Sequence, residues 1–273
     1  SGNALTSGEQ NVAIGKNALL AATSDNYNVA VGSSAGLAIT GGGNNNTLIG
    51  IESGRALTTG DNNVAVGSEA LGNSSGATTE SNNVAIGANA LASSGLNGAE
   101  FNVAVGNFTL DAITSADQTT ALGHNAATRL TTGSFSTYLG SEAGVQATSA
   151  SHNVGIGYQS AGSNSASTGN ENTCVGNYAG FKITSGASNV ILGYDCGFNL
   201  TTGSNNICIG NDAGVTGSPG GNIVTGSNNL HLGDENISSC QIQTDWTVAS
   251  DQRDKTDFTA LDVGLDFVNA LKP

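Results

Sequence analysis

Hydrophobic and polar residues alternate in short bursts along this chain, and the bursts recur at a fixed period. The commonest phrase is Asn-Val-Ala-Val/Ile-Gly. Its glycines fall at Gly15, Gly32, Gly50, Gly67, Gly87, Gly106, Gly123, Gly140, Gly157, Gly176, Gly193, Gly210 and Gly233. The spacings are 17, 18, 17, 20, 19, 17, 17, 17, 19, 17, 17 and 23, so the base period is 17 residues and the longer spacings carry insertions. The residue before the glycine is aliphatic in all thirteen copies, and the residue three before it is β-branched in twelve. Alternation with period 2 predicts a short strand in every repeat. The glycine then permits a turn at positive φ.

The columns have distinct chemistry. Four before the glycine stands Asn in eleven copies, with Thr119 and Ser136 as the substitutes. In stacked coils these amides form either a hydrogen-bonded ladder or a set of local turns. Three after the glycine the residue is small, as at Ala18, Ala35, Ser53, Ala70, Ala90, Ala143 and Ala213. Coils end on phrases such as Leu-Thr-Thr-Gly at 57–60, 130–133 and 200–203. The expected fold is all-β: a repetitive parallel β-solenoid or β-roll of about thirteen coils, each with about two short strands and two turns. At roughly 4.8 Å per coil the rod is about 60 Å long. One strand face carries Val and Ile. The other carries Ala13, Ala30, Ala65, Ala85, Ala104 and Ala121. Small apolar residues let another sheet approach, so the alanine face is expected to be a self-association face. The alternative is a wide coil that buries both faces.

Composition agrees with a thin stacked core. Gly contributes 40 of 273 residues, about twice the average usage of roughly 7%, while aromatics make up only 5%. The net charge of −14 disfavours nucleic acid and anionic membrane surfaces as partners. No run of 18 apolar residues occurs, so membrane insertion is not expected. No signal peptide is apparent, and the chain opens inside a repeat, so it is expected to be a piece of a longer protein. The insertions, at 72–82, 94–100, 161–171 and 215–227, share one phase of the coil. They would project from one edge, which makes them the expected binding edge.

The pattern breaks after Gly233. Residues 240–248 alternate as a strand leaving the solenoid, and Trp246, the single Trp, is expected to cap its open end. There follows Ser250-Asp251-Gln252-Arg253-Asp254-Lys255-Thr256, then Leu261, Leu265, Val268 and Leu271 at helical spacing. The expected organisation is a solenoid shaft at 1–239, a capping strand at 240–249, and a strand-plus-helix segment completed by 250–273.

The Asn-Val-Ala-Ile/Val-Gly repeat, over residues 1–233, resembles the head repeats of YadA-type trimeric adhesins and the repetitive shafts of phage tail fibres. That resemblance implies a homotrimer of parallel β-rolls, with two identical chains as partners, used for attachment to a host-surface glycan or protein receptor. The adhesin heads use a somewhat shorter coil. The Ser-Asp-x-Arg-x-Lys-Thr phrase resembles the start of the self-cleaving intramolecular chaperone domain of endosialidases and tail spikes. By that resemblance Ser250 is the nucleophile, Lys255 its base, Asp251 and Arg253 supporting residues, and the bond between Ala249 and Ser250 the one cut. Asp254 and Asp257 depart from the usual Leu and Asn of that family. The family domain runs past Pro273, so 250–273 is a truncated start, expected to be inactive alone and to represent a form before maturation. The resemblance places the chain on the virion surface. The alternative is a trimeric adhesin on a bacterial cell surface, without proteolysis.

Other chemistry is sparse. Cys174, Cys196, Cys208 and Cys240 read as small apolar fillers, free and buried, with Cys174 and Cys208 two coils apart and too distant for a disulfide. The sequence has no Cys-x-x-Cys pair, calcium loop, phosphate loop or dinucleotide fingerprint, so no cofactor and no metal ligand set is expected. A flat threonine array of the ice-binding kind is not repeated often enough. A glycan-cleaving spike would need paired acids in a groove, which spacing alone does not place.

Overall fold

The computed structural model describes residues 1–72, 79–162 and 165–241. Ser1–Ile237 form one compact unit, described here. It is all-β, with no helix among the described residues. Thirteen three-residue strands, from β1 (Val12–Ile14) to β13 (Leu230–Leu232), lie in sequence order in a single parallel sheet. Equivalent repeat positions pair directly, as in Val64↔Val84, Ala65↔Ala85 and Val66↔Ile86. The chain is therefore a β-solenoid that advances by one strand per repeat.

Each coil contains one regular strand, not two. The reason lies in the backbone after the glycine. Positions two and four beyond it repeatedly take positive φ, as at Glu69 (57°) and Leu71 (49°), or Phe108 (57°) and Leu110 (52°). A left-handed residue at every second position prevents an extended run. The coils remain joined there by backbone bonds such as Thr131 N to Thr148 O at 2.8 Å.

The asparagine column is a ladder. Asn46 donates through its backbone N–H (3.0 Å) and its Nδ2 (3.1 Å) to Asn28 Oδ1, and through Nδ2 to Gly60 O in the next coil (2.9 Å). Asn63 and Asn189 repeat the three bonds. Each buried amide thus links three successive coils and leaves none of its polar atoms stranded. At Thr119 and Ser136 the ladder narrows to hydroxyl side chains. Beside them lies the buried Tyr138, and burial pushes its hydroxyl pKa up to about 12.

The glycine column is required by the same stacking. Gly140 has φ +137°, and a Cβ built there would lie 2.5 Å from Gly157 O. Coils one strand spacing apart leave no room for a side chain at this corner.

The core reverses the sequence expectation about faces. The central residue of each strand points inward: Ala30, Ala65, Ala85, Ala104 and Ala121 are fully buried, and Ala13 is partly buried at the open end. The flanking Val and Ile side chains point out. The alanines are therefore not a docking face; they line a bore too narrow for two opposing rows of large side chains. Volume across the bore is compensated in coils that carry a large residue there, while others, such as Ala30 with Gly36 and Ala121 with Ala127, are small at both positions. Where the strand centre is Ala (65, 85, 104), the residue four beyond the glycine is Leu (71, 91, 110), and all are buried. Where the strand centre is Leu48, Tyr138 or Ile191, that opposite position is Gly54, Gly144 or Gly197. A Cβ on Gly144 would run into the Tyr138 ring. Interiors are packed to near-crystalline density, so a large residue on one wall demands a small one on the other.

Candidate functional site

The outward positions of the thirteen strands make one continuous surface. At the first strand position nine residues are aliphatic and four are Thr; at the third all thirteen are aliphatic. None of these side chains is buried. Ile14 is 59% exposed, Leu122 45%, Leu232 43% and Ile86 38%. No charged residue interrupts them. With a rise of about 4.8 Å per coil and three residues of about 3.3 Å across, the face covers roughly 600 Å², at the upper limit of what monomeric proteins expose. It is flat in register, because each Val or Ile stacks on its equivalent in the next coil. Chemically it can bury area against another apolar surface of the same period, and it offers no hydrogen-bonding side chains beyond four threonines.

A second feature lies on the turn following the strands, in the coils after β9 (Val154–Ile156). Tyr178 sits at the centre of an aromatic group, edge-on to Tyr158 (5.3 Å between centroids), Phe181 (5.8 Å), Tyr194 (6.2 Å) and Phe198 (6.2 Å). Phe181 and Phe198, one coil apart, stack at 4.9 Å. Lys182 Nζ lies 4.8 Å from the Phe198 centroid and donates to Asn199 Oδ1 at 2.8 Å. Beside Phe198 opens a hollow of about 320 Å³ lined by Asp195, Phe198, Asn199, Asp212, Val215 and Thr216. Asp195 Oδ1 is shut off from solvent without a hydrogen-bond partner. Burial, then the nearby Asp212 carboxylate, holds Asp195 above the usual carboxylate pKa. Asp212 Oδ2 accepts from Asn211 Nδ2 at 2.6 Å. The sequence-level reading missed this group. Its signal was present in the repeat columns: two beyond the glycine the residues run Tyr178, Asp195, Asp212, and five beyond it Phe181, Phe198, Val215.

The thiols divide. Cys174, Cys196 and Cys208 are free and buried as expected, and burial pushes Cys174 up to about 12. Cys240 is instead exposed. Among the described residues, no three His, Cys, Asp or Glu side chains gather as metal ligands. The insertion at 215–227 begins at the rim of the hollow, since Val215 and Thr216 line it. The remaining sequence-derived site residues, Trp246, Ala249, Ser250, Asp251, Arg253 and Lys255, lie outside the described residues, as does the segment expected from the sequence to be a C-terminal helix. Neither a family model, nor a curated protein, nor a solved structure matches the chain.

Proposed function

We propose that this chain is the shaft of a viral, phage-like tail fibre that takes part in host attachment, and that three copies pack together through the aliphatic face. The observation that carries the reading is that face: uncharged, unbroken over thirteen strands, and periodic at one strand spacing. Exposed apolar patches of this size mark interaction surfaces. Another copy is the partner whose side chains recur at the same interval along the whole rod. The chain's charge of −14 resides elsewhere, so assembly through this face keeps the acidic residues on the outside.

The maturation step belongs to the same proposal and rests on the Ser-Asp-x-Arg-x-Lys-Thr resemblance. Lys255, as its neutral amine, takes the Ser250 hydroxyl proton, and Oγ attacks the Ala249 carbonyl. The amide bond breaks, the acyl group passes to Oγ, and the Ser250 nitrogen becomes a free amine carrying the returned proton. Water then hydrolyses the ester and releases the C-terminal part. The test uses the chain extended through its natural C-terminus. On denaturing gels the parent is expected to divide into a shaft ending at Ala249 and a released domain, and Ser250→Ala to remain a single band. Two intact bands from folded, assembled proteins would contradict cleavage at this bond and favour a surface adhesin.

A further inference from the structure

In the coil containing Tyr178, the trough between the position two beyond the glycine and the position five beyond it is filled by the Tyr178 ring, packed against Phe181 and Phe198. One and two coils later the first of these positions holds Asp195 and Asp212. The rings that would have continued the stack are absent, and the hollow of about 320 Å³ opens there. It is at the lower end of the roughly 300–1,000 Å³ that small-molecule sites occupy. It has an aromatic wall in Phe198, an aliphatic one in Val215, two carboxylates, an amide in Asn199 and a hydroxyl in Thr216. One carboxylate oxygen, Asp195 Oδ1, is shut off from solvent and has no hydrogen-bond partner, which leaves that carboxylate incompletely satisfied.

We propose that this hollow binds one ring of a neutral saccharide. An anionic ligand is repelled by Asp195 and Asp212. A small cation would pair with the carboxylates but leave the apolar walls, Phe198 and Val215, unfilled. A flat hydrocarbon would cover the two carboxylates without bringing them any donor. A pyranose ring supplies what remains: hydroxyl donors for the carboxylates, and C–H edges for Phe198 and Val215. It occupies the space that a tyrosine ring fills one coil earlier. The site gives the attachment reading a ligand class and rests on that reading only for its biological purpose.

The test is ligand-observed NMR on the full chain with methyl glucoside, methyl galactoside, N-acetylneuraminic acid and arginine as separate probes. At least one neutral glycoside is expected to bind saturably, with a dissociation constant on the order of 1 mM for so small a ligand. Asp212→Asn is expected to weaken it about tenfold, the worth of one hydrogen bond to a charged acceptor. Asp195→Tyr, at a position whose φ of +51° matches the +59° of Tyr178, rebuilds the missing ring and is expected to abolish binding while the coil stays folded. Phe198→Ala gives the same loss by a separate route should the tyrosine disturb packing. Absence of binding by both neutral glycosides would overturn the proposal. So would unchanged binding in Asp195→Tyr and Phe198→Ala, or binding of arginine or N-acetylneuraminic acid alone. Sedimentation of the same samples separates the two readings: glycoside binding by a monomer would refute the assembly and leave the site standing.

Discussion

Gly140→Ala is expected to destabilise the solenoid by about 2–6 kcal/mol, combining strain at φ +137° with overpacking against the next coil. The methyl carbon would lie 2.5 Å from Gly157 O, and that atom is backbone. Relief therefore requires separating the two coils, which stretches the adjacent bonds Gly157 N to Leu139 O and Thr137 N to Asn153 O, both 2.8 Å. Stability in a solenoid is a sum of coil and nearest-neighbour interface terms, so the damage concentrates at one junction. Denaturant unfolding followed by circular dichroism should show a lower midpoint or a split transition. Hydrogen exchange should place the faster opening near Gly140. An unchanged midpoint would mean that the glycine column is not fixed by close approach.

Tyr138→Ala is expected to cost about 3–5 kcal/mol, since it empties the largest side chain from the bore. Its interest is the partner. With Tyr138 present, Gly144→Leu drives a side chain into the ring and is destabilising by itself. With alanine at 138, the same leucine recreates the pairing of Ala65 with Leu71. The backbone permits it, because Leu71, Leu91 and Leu110 adopt φ of 49°, 52° and 52°, close to the 62° of Gly144. The double variant is therefore expected to be more stable than the sum of the single losses by at least about 1 kcal/mol. Additive losses in thermal or denaturant melts would refute volume matching across the bore.

The repeat, its strand and its parallel stacking are legible in the sequence because they rest on local chemistry: a period-2 phrase, a glycine at a fixed corner, an amide at a fixed place. Which strand face looks inward was misread. Alternation separates two faces without saying which is buried, and the habit of placing the larger aliphatic side inward fails when the bore is narrow. The correcting signal is between columns. Ala65 with Leu71 against Leu48 with Gly54 is a compensation that makes sense only if the central strand residue faces the other wall. The hollow beside Phe198 was not read because Asp195 and Asp212 stand 17 residues apart and meet only through the stacking of coils. The self-cleavage residues carry a sequence signal of another kind, a short phrase whose meaning depends on the family it resembles.

Assembly through the outward aliphatic face is tested most directly by sedimentation equilibrium of the full chain. The wild type is expected at three times its 26.9 kDa chain mass at micromolar concentration. A variant carrying Ile49→Glu, Ile86→Glu and Ile156→Glu, at side chains exposed by 39%, 38% and 39%, is expected to keep its β-sheet spectrum and sediment as a single chain. A folded wild type at 26.9 kDa, or a charged variant still at three times that mass, would contradict the assignment.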